Sequence, residues 1–195
     1  YEDSRLAQPV PVMLRNANFA LKQGLGGWST GLQAKLELPG KDPAPIDIRA
    51  TINRKFLGKN SNWRNWSGTL YASSDRLAFP ELFKSLQILP EVKAGEGGFS
   101  LWASFSKGVI MRTITGVKVF GFRAVFHNAP IALKSLEGSF ESQSSKAFFK
   151  LSSPRASICL EPKGCAKSVA FHLEKNLERP ETSVLNAKAG SIDIE

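Results

Sequence analysis

The sequence predicts a mainly β protein: an antiparallel up-and-down meander that forms a curved, groove-like sheet with one short inserted α-helix. Hydrophobic residues alternate with period two over most of the chain, which is typical of strands with one buried face. Turn signals rich in Gly and Pro recur every ten to fifteen residues or so. A single segment has helical spacing instead. The 195 residues are enough for one domain, so we treat 1–195 as a single segment.

The predicted strands begin with residues 12–22. In Leu32–Leu38, Ile46–Asn53 and Phe99–Phe105, every second residue is apolar and most residues between them are polar or charged. The same alternation returns in residues 131–134, 156–161, 169–174 and 192–195. Because antiparallel strands of this kind bury one face, we expect one apolar face that a ligand contacts. Its predicted residues are Leu32, Ala34, Leu36, Ile46, Ile48, Ile52, Phe99, Leu101 and Phe105.

Turn chemistry separates these strands. Gly24–Gly27, Pro39–Pro43 and Gly95–Gly98 combine Gly or Pro with polar residues, and Ser106–Gly108 predicts a tight hairpin. The polar, low-complexity stretch Ser139–Lys146 also predicts a turn.

Residues 117–126 are apolar at nearly every position, which predicts a strand covered on both faces. Strict alternation places its side chains in two groups that point in opposite directions. One group is Val117, Val119 and Val125, and the other is Phe120, Phe122, Ala124 and Phe126.

The helix is predicted over Phe79–Leu89, where apolar residues recur at helical offsets. Pro80 suits a first helical turn, and Pro90 lies just beyond the end. We expect the helix to pack Phe79, Leu82, Phe83 and Leu86 against the apolar face, either as a plug that completes the core or as a lid over a ligand path.

The chain has two cysteines, Cys159 and Cys165, with five residues between them. Pro162–Gly164 between them predicts a turn, so the pair forms either a hairpin disulfide or two free thiols. A disulfide would indicate an oxidising compartment such as the periplasm. Neither His127 nor His172 adds a recognisable zinc spacing to the cysteines.

No catalytic motif is present, whether a nucleophile elbow, a phosphate-binding loop or a metalloprotease helix. We therefore expect no enzymatic activity, no metal and no cofactor. The net charge of +9 would allow an anionic partner. Its densest basic run, residues 53–59 with Arg64, has no recognisable nucleic-acid-binding pattern, so no nucleic-acid partner is expected.

Two functions remain open on these residues. If the sheet is an open trough, its apolar face suits an acyl chain, since each buried CH₂ contributes about 0.8 kcal/mol without directional demands. If it closes as a β-sandwich, it would be a binding module for a polyanion or glycan, using basic residues and exposed aromatics. The aromatic candidates for that role are Trp28, Trp63, Trp66 and Trp102.

The order of motifs from Trp66 to Phe126 resembles the YhdP-like family of the AsmA-like superfamily in Gram-negative bacteria. The family pattern is a W-S-G-x-L-Y strand, a Leu-rich helix, a G-x-G turn, an L-W strand and a short Gly turn. The resemblance covers residues 12–173 and is strongest over 66–126. The matching motif residues are Trp66, Gly68, Leu70, Tyr71, Gly95, Gly97 and Trp102.

The resemblance implies a periplasmic segment of a longer protein that is anchored in the inner membrane by parts outside this chain. Such proteins take part in moving phospholipid between the inner and outer membranes along an apolar β-groove, in support of outer-membrane biogenesis, with no catalytic residues. The expected partners are phospholipid acyl chains. The cysteine pair is not part of the family pattern.

Overall fold

The computed structural model describes residues 12–24, 27–53, 66–85, 91–126, 129–145, 147–161, 164–178 and 182–193, and every structural statement concerns these residues. The predicted basic run (54–59 and Arg64), Trp63 and His127 lie outside them.

A single antiparallel sheet makes up almost the whole described structure. Strands β1 to β10 lie side by side in sequence order, and β11 pairs with β9 beside the main path. The predicted fold class is confirmed: a mainly β, up-and-down meander that forms an open, curved sheet with one short helix. The strands are β1 Met13–Gly24, β2 Gly27–Glu37, β3 Ala44–Asn53, β4 Gly68–Ala78, β5 Glu91–Ser106, β6 Val109–Phe126, β7 Ala129–Ser144, β8 Phe148–Leu160, β9 Gly164–Asn176, β10 Val184–Lys188 and β11 Ser191–Asp193.

The closed β-sandwich considered from the sequence is wrong for this chain. The described strands form one layer, and the path from β1 to β10 does not return to its first strand. Short hairpin turns make most of the connections, whereas longer segments join β3 to β4 and β4 to β5, and the second of these contains the helix. Lys107 and Gly108 both have positive φ, 52° and 71°, and form the predicted two-residue turn between β5 and β6.

Helix α1, Phe79–Ser85, follows β4 directly. Pro80 lies in its first turn, with acidic Glu81 nearby and basic Lys84 in the last turn, an arrangement that suits the helix dipole. The predicted continuation through Leu86 to Leu89 lies outside the described residues. Among the described residues, no helix has the length and apolar character needed to cross a bilayer.

The helix covers one end of the sheet and builds the main hydrophobic cluster there. Phe79 and Leu82 pack against buried Leu36, Ala44 and Leu77. This placement confirms that the helix packs on the apolar face near one end. Buried hydrophobic residues are otherwise few and small. Of the eight among the described residues, five are alanines: Ala34, Ala44, Ala103, Ala124 and Ala156.

Two predicted turns are in fact strand. Gly95–Gly98 lies inside β5, and Ser139–Ser144 forms the end of β7. In the second case, polar side chains are accommodated by partners on β6. The Thr113 and Ser142 hydroxyls are 2.7 Å apart, and Arg112 donates a 2.8 Å hydrogen bond to Glu141.

The side-chain grouping predicted for residues 117–126 is also wrong, and Gly121 is the reason. Gly121 has φ +56°, a conformation that glycine adopts without steric cost and that interrupts the pleat. Phe120 is 44% exposed, whereas the Phe122 ring lies 6.2 Å from that of Phe79 on α1. The two phenylalanines therefore do not share a face.

The cysteines form the predicted hairpin disulfide. Cys159 of β8 is directly opposite Cys165 of β9, and the two sulfurs are bonded with Cα atoms 4.0 Å apart. The bond closes the β8–β9 hairpin at its turn end, across a sequence separation of six residues.

Replacing Leu77 by Ala should destabilise the protein strongly. Leu77 is 3% exposed at the centre of the cluster under α1, so truncation leaves a cavity and should cost about 2–5 kcal/mol. Urea unfolding measures the loss. Leu185→Ala is the matched control, because Leu185 is 67% exposed and should change stability by less than about 0.5 kcal/mol. Equal losses in the two variants would contradict the placement of the core.

Replacing both Cys159 and Cys165 by Ser should lower the free energy of unfolding by about 2 kcal/mol, the chain-entropy value for so short a loop. Thermal unfolding of the oxidised protein and of the double variant measures the difference. A reductant should shift the natural chain by the same amount and leave the double variant unchanged. A reductant effect on the double variant would mean that the shift has another cause.

Candidate functional site

The candidate site is one face of the sheet, here called the apolar face. It is defined by rows of residues that pair directly across neighbouring strands and therefore point the same way. One row crosses eight strands without a charged residue: Ala34, Ile46, Ser74, Phe99, Val117, Gly138, Ala156 and Val169. A parallel row contains Leu32, Ile48, Ala72, Leu101, Thr115 and Phe140.

All nine residues predicted to line an apolar face lie on this one. Leu32 is opposite Ile48, and Ala34 is opposite Ile46. Ile52 is opposite Gly68, which is in turn opposite Phe105 on the next strand. The expectation that the alternating strands share one face of one sheet is therefore confirmed by the strand register, and what that face contacts remains a prediction.

The apolar face is only partly covered. Ala34 and Leu36 are buried, the second of them in the cluster under α1. Ile48, Leu101 and Phe105 are half-buried with no second layer above them among the described residues. Towards β1 the face becomes open, and the Phe19 side chain is 68% exposed. An exposed apolar surface of this continuity is typical of a binding surface.

Two aromatic side chains meet on the apolar face at its far end. Phe140 of β7 and Phe171 of β9 bring their rings to 6.1 Å across β8. Ser153 of β8, opposite Phe171, is 2% exposed and small enough to leave room for this contact. The aromatic contact therefore links β7 and β9 across β8 on the apolar face.

The opposite face, here called the polar face, carries a network of ion pairs, of which all but Asp47–Arg49 join different segments of the chain. Arg15 pairs with Glu37, and the other pairs have N–O distances between 2.6 and 3.9 Å. They are Asp47–Arg49, Arg76–Glu96, Arg112–Glu141, Lys118–Glu137, Arg123–Glu161 and Lys150–Glu174. The two faces of one sheet thus have opposite chemistry.

The motif residues from the family resemblance divide between the two faces. Gly68 and Leu70 lie on the apolar face, whereas Tyr71 and Trp102 are opposite each other on the polar face. Trp66 is half-buried just before β4, and its carbonyl accepts a hydrogen bond from Gly108.

Gly95 and Gly97 lie inside β5 rather than in a turn. Gly97 has a packing reason for lacking a side chain, because a Cβ atom there would collide with the Lys118 carbonyl oxygen of β6. The motif glycine therefore permits close strand pairing.

Local hydrogen bonds lower the pKa of several carboxyl groups on the polar face. The Arg49 guanidinium, which donates to Asp47 at 2.6 and 3.0 Å, holds the pKa of Asp47 below its usual value. Hydrogen bonds from Arg112 and then Gln143 lower the pKa of Glu141 in the same way. Within the described ranges, no group of three His, Cys, Asp or Glu side chains is placed to hold a metal ion.

Sequence reasoning missed the organisation of the polar face. Tyr71 appeared only as a motif residue, and Trp102 as a motif residue and one of four candidate binding aromatics, although the two rings lie 4.3 Å apart. The available signal was parity, since both residues fall between the apolar positions of their strands. The ion pairs were not predictable in the same way, because they depend on the register between strands.

Comparisons with known proteins identify no relative: no protein-family model, curated protein or solved structure matches the chain. The class is therefore given by the fold and the two faces alone. The protein is an open, single-layer antiparallel β-sheet with one apolar and one polar face.

Replacing Arg112 by Met should raise the pKa of Glu141 towards its ordinary value, because the principal hydrogen-bond donor is removed. NMR titration of the Glu141 carboxyl measures the change. Lys118→Met is the control, since Lys118 pairs with Glu137 instead and should leave the Glu141 pKa unaltered. An unchanged Glu141 pKa in the Arg112 variant would contradict the pairing.

The same pairs give the stability a pH dependence of known sign. The pKa values of Asp47, Glu141 and Glu174 are lower in the folded protein than in an unfolded chain. Their stabilisation is therefore complete above the unfolded pKa values and is lost as pH falls through the folded ones.

Proposed function

We propose that this chain is a non-enzymatic segment of an AsmA-like envelope protein that takes part in phospholipid transport between the inner and outer membranes. The acyl chains lie along the apolar face, and no covalent chemistry occurs. The observation that carries the proposal is the uncharged row from Ala34 to Val169, which crosses eight strands on a face that, among the described residues, one short helix covers at one end.

The chemistry of the face suits acyl chains. The predicted contact residues Ile48, Leu101 and Phe105 offer hydrocarbon surface and no hydrogen-bonding groups, and each CH₂ removed from water contributes about 0.8 kcal/mol. An acyl chain bound in this way is held at no fixed position along the face, so it remains free to slide. This property distinguishes a conducting surface from a pocket that recognises one ligand.

The dimensions also fit. Seven inter-strand spacings separate β2 from β9, which corresponds to roughly 34 Å along the sheet. One leaflet of a bilayer has a hydrocarbon thickness of about 15 Å. The apolar face is therefore longer than one acyl chain. A path for lipid needs this extra length, whereas a closed site for a single ligand does not.

The hairpin disulfide between Cys159 and Cys165 supports a periplasmic location, because disulfides persist in oxidising compartments. The motif order from Trp66 to Phe126 supports the AsmA-like assignment, since it combines the same strand, helix and strand sequence with an open sheet. Anchoring in the inner membrane rests on the family resemblance alone.

A polyanion-binding module is the weaker reading. Five of the six described arginines pair with carboxylates on the polar face, so most guanidinium groups there already have an anionic partner. The two uncharged rows of the apolar face offer none of the positive charge that would steer such a ligand.

A photoreactive benzoylphenylalanine in place of Leu101 should cross-link to phospholipid, and the same group in place of Ser100 should not. Leu101 and Ser100 are neighbours on β5 and are both half-buried, but they point to opposite faces. Mass spectrometry of the cross-linked protein measures lipid attachment. A fluorescent fatty-acyl probe should also bind the natural chain and be displaced by phospholipid.

Equal labelling at the two positions, or labelling at Ser100 alone, would contradict a lipid path on the apolar face. Absence of acyl-probe binding by a folded chain would also contradict it.

A further inference from the structure

An aromatic cluster stands on the polar face, away from the proposed lipid path. Tyr71 of β4 and Trp102 of β5 are directly opposite each other, with ring centroids 4.3 Å apart. The Arg49 guanidinium lies over the Tyr71 ring at 5.9 Å, and Ile114 of β6 continues the row on the other side of Trp102. We call these four side chains the outer platform.

The Trp102 ring is unusually accessible. It is 57% exposed, whereas Trp28 and Trp66 are half-buried. Its neighbours along β5 are Ser100 and Ser104, which are too short to cover an indole. A large apolar ring held open on an otherwise polar face costs solvation free energy, and its packing against Tyr71 recovers only part of this cost.

Hydrogen-bonding side chains flank the platform, and their charges cancel locally. Arg49 is bonded to Asp47 on one side, at 2.6 and 3.0 Å. On the other side, Arg112 and Gln143 both donate to Glu141 at 2.8 Å. These pairs hold guanidinium and carboxylate groups in fixed positions on both sides of the rings, with no net charge between them.

We propose that the outer platform binds a neutral glycan chain. Sugar rings have an apolar face of C–H groups that stacks on an exposed aromatic ring, while their hydroxyls exchange hydrogen bonds with planar carboxylate and guanidinium groups. Trp102 and Tyr71 supply the stacking surface, and the Asp47–Arg49 and Arg112–Glu141 pairs supply the hydrogen bonds. The proposal is independent of whether the apolar face carries lipid.

The extent and charge of the platform favour a chain over a single sugar or a polyanion. From β3 to β7 the side chains span four inter-strand spacings, roughly 19 Å, which accommodates several linked sugar rings. A polyanion would need unpaired cations, and both guanidinium groups here are already paired. The fixed, balanced charges are instead suited to hydroxyl groups.

The test is binding of two neutral β-linked oligosaccharides, cellohexaose and chitohexaose, to the full chain, measured by calorimetry and tryptophan fluorescence. At least one should bind with a Kd at or below about 1 mM. The affinity should change little between about 50 and 200 mM salt, because no counterions are released.

Trp102→Ala should weaken binding by about tenfold or more, and Trp102→Tyr should retain part of it, since an aromatic face remains. Phe120→Ala is the matched control. Phe120 is also an exposed aromatic on the polar face, but it lies six residues further along β6 than Ile114, roughly 20 Å from the platform. Its removal should leave glycan affinity unchanged.

Thermal unfolding of each variant separates binding from folding. If Trp102→Ala lowers stability and no oligosaccharide binds the natural chain, the aromatic pair is a strand-pairing contact only and the proposal is overturned. It is also overturned if Trp102→Ala binds like the natural chain. Salt-sensitive binding of heparin in place of the neutral chains would replace it with a polyanion site.

Discussion

This structure depends on the backbone hydrogen bonds of a single layer of strands. Each strand from β2 to β9 is bonded on both sides to strands of the same sheet, and no second sheet packs against it among the described residues. A single layer cannot bury both of its faces, so alternation along each strand divides the side chains into two surfaces of opposite chemistry. The small core under α1, the uncharged apolar face and the ion-paired polar face all follow from this constraint.

The face assignments were predictable where alternation is strict. Leu32–Leu38 and Phe99–Phe105 have few ambiguous positions, and in a strand of period two the parity of one residue fixes that of the others. Cys159 and Cys165 were predictable as a hairpin pair because the turn between them is short. In these cases the side-chain direction or the pairing depends on a few neighbouring residues, so it could be predicted without knowing which strands lie side by side.

The remaining features depend on contacts between strands. Ser139–Ser144 looked like a turn because a run of small polar residues has low strand propensity, but hydrogen bonds to β6 accommodate it in the sheet. Phe120 and Phe122 point to opposite faces because of the positive φ of Gly121, and a hydrophobic pattern does not predict that angle. The tilted ring contact between Tyr71 and Trp102 could be predicted only from the register between β4 and β5. Register depends on which residues of two strands pair with each other, and the pattern along one strand does not predict this.

The sequential order of the strands has a consequence for how the molecule forms. Because β2 to β10 each pair with the strand immediately before them, no strand must wait for a partner that is made much later. Most connections between successive strands are short, which keeps the entropic cost of loop closure low; longer segments join only β3 to β4 and β4 to β5 among the strands from β1 to β9. The sheet can therefore grow in the direction of synthesis, each hairpin adding to the edge left by the previous one. At every intermediate length the growing molecule has the same kind of free edge as the finished one, so the next strand of the chain always meets a prepared template.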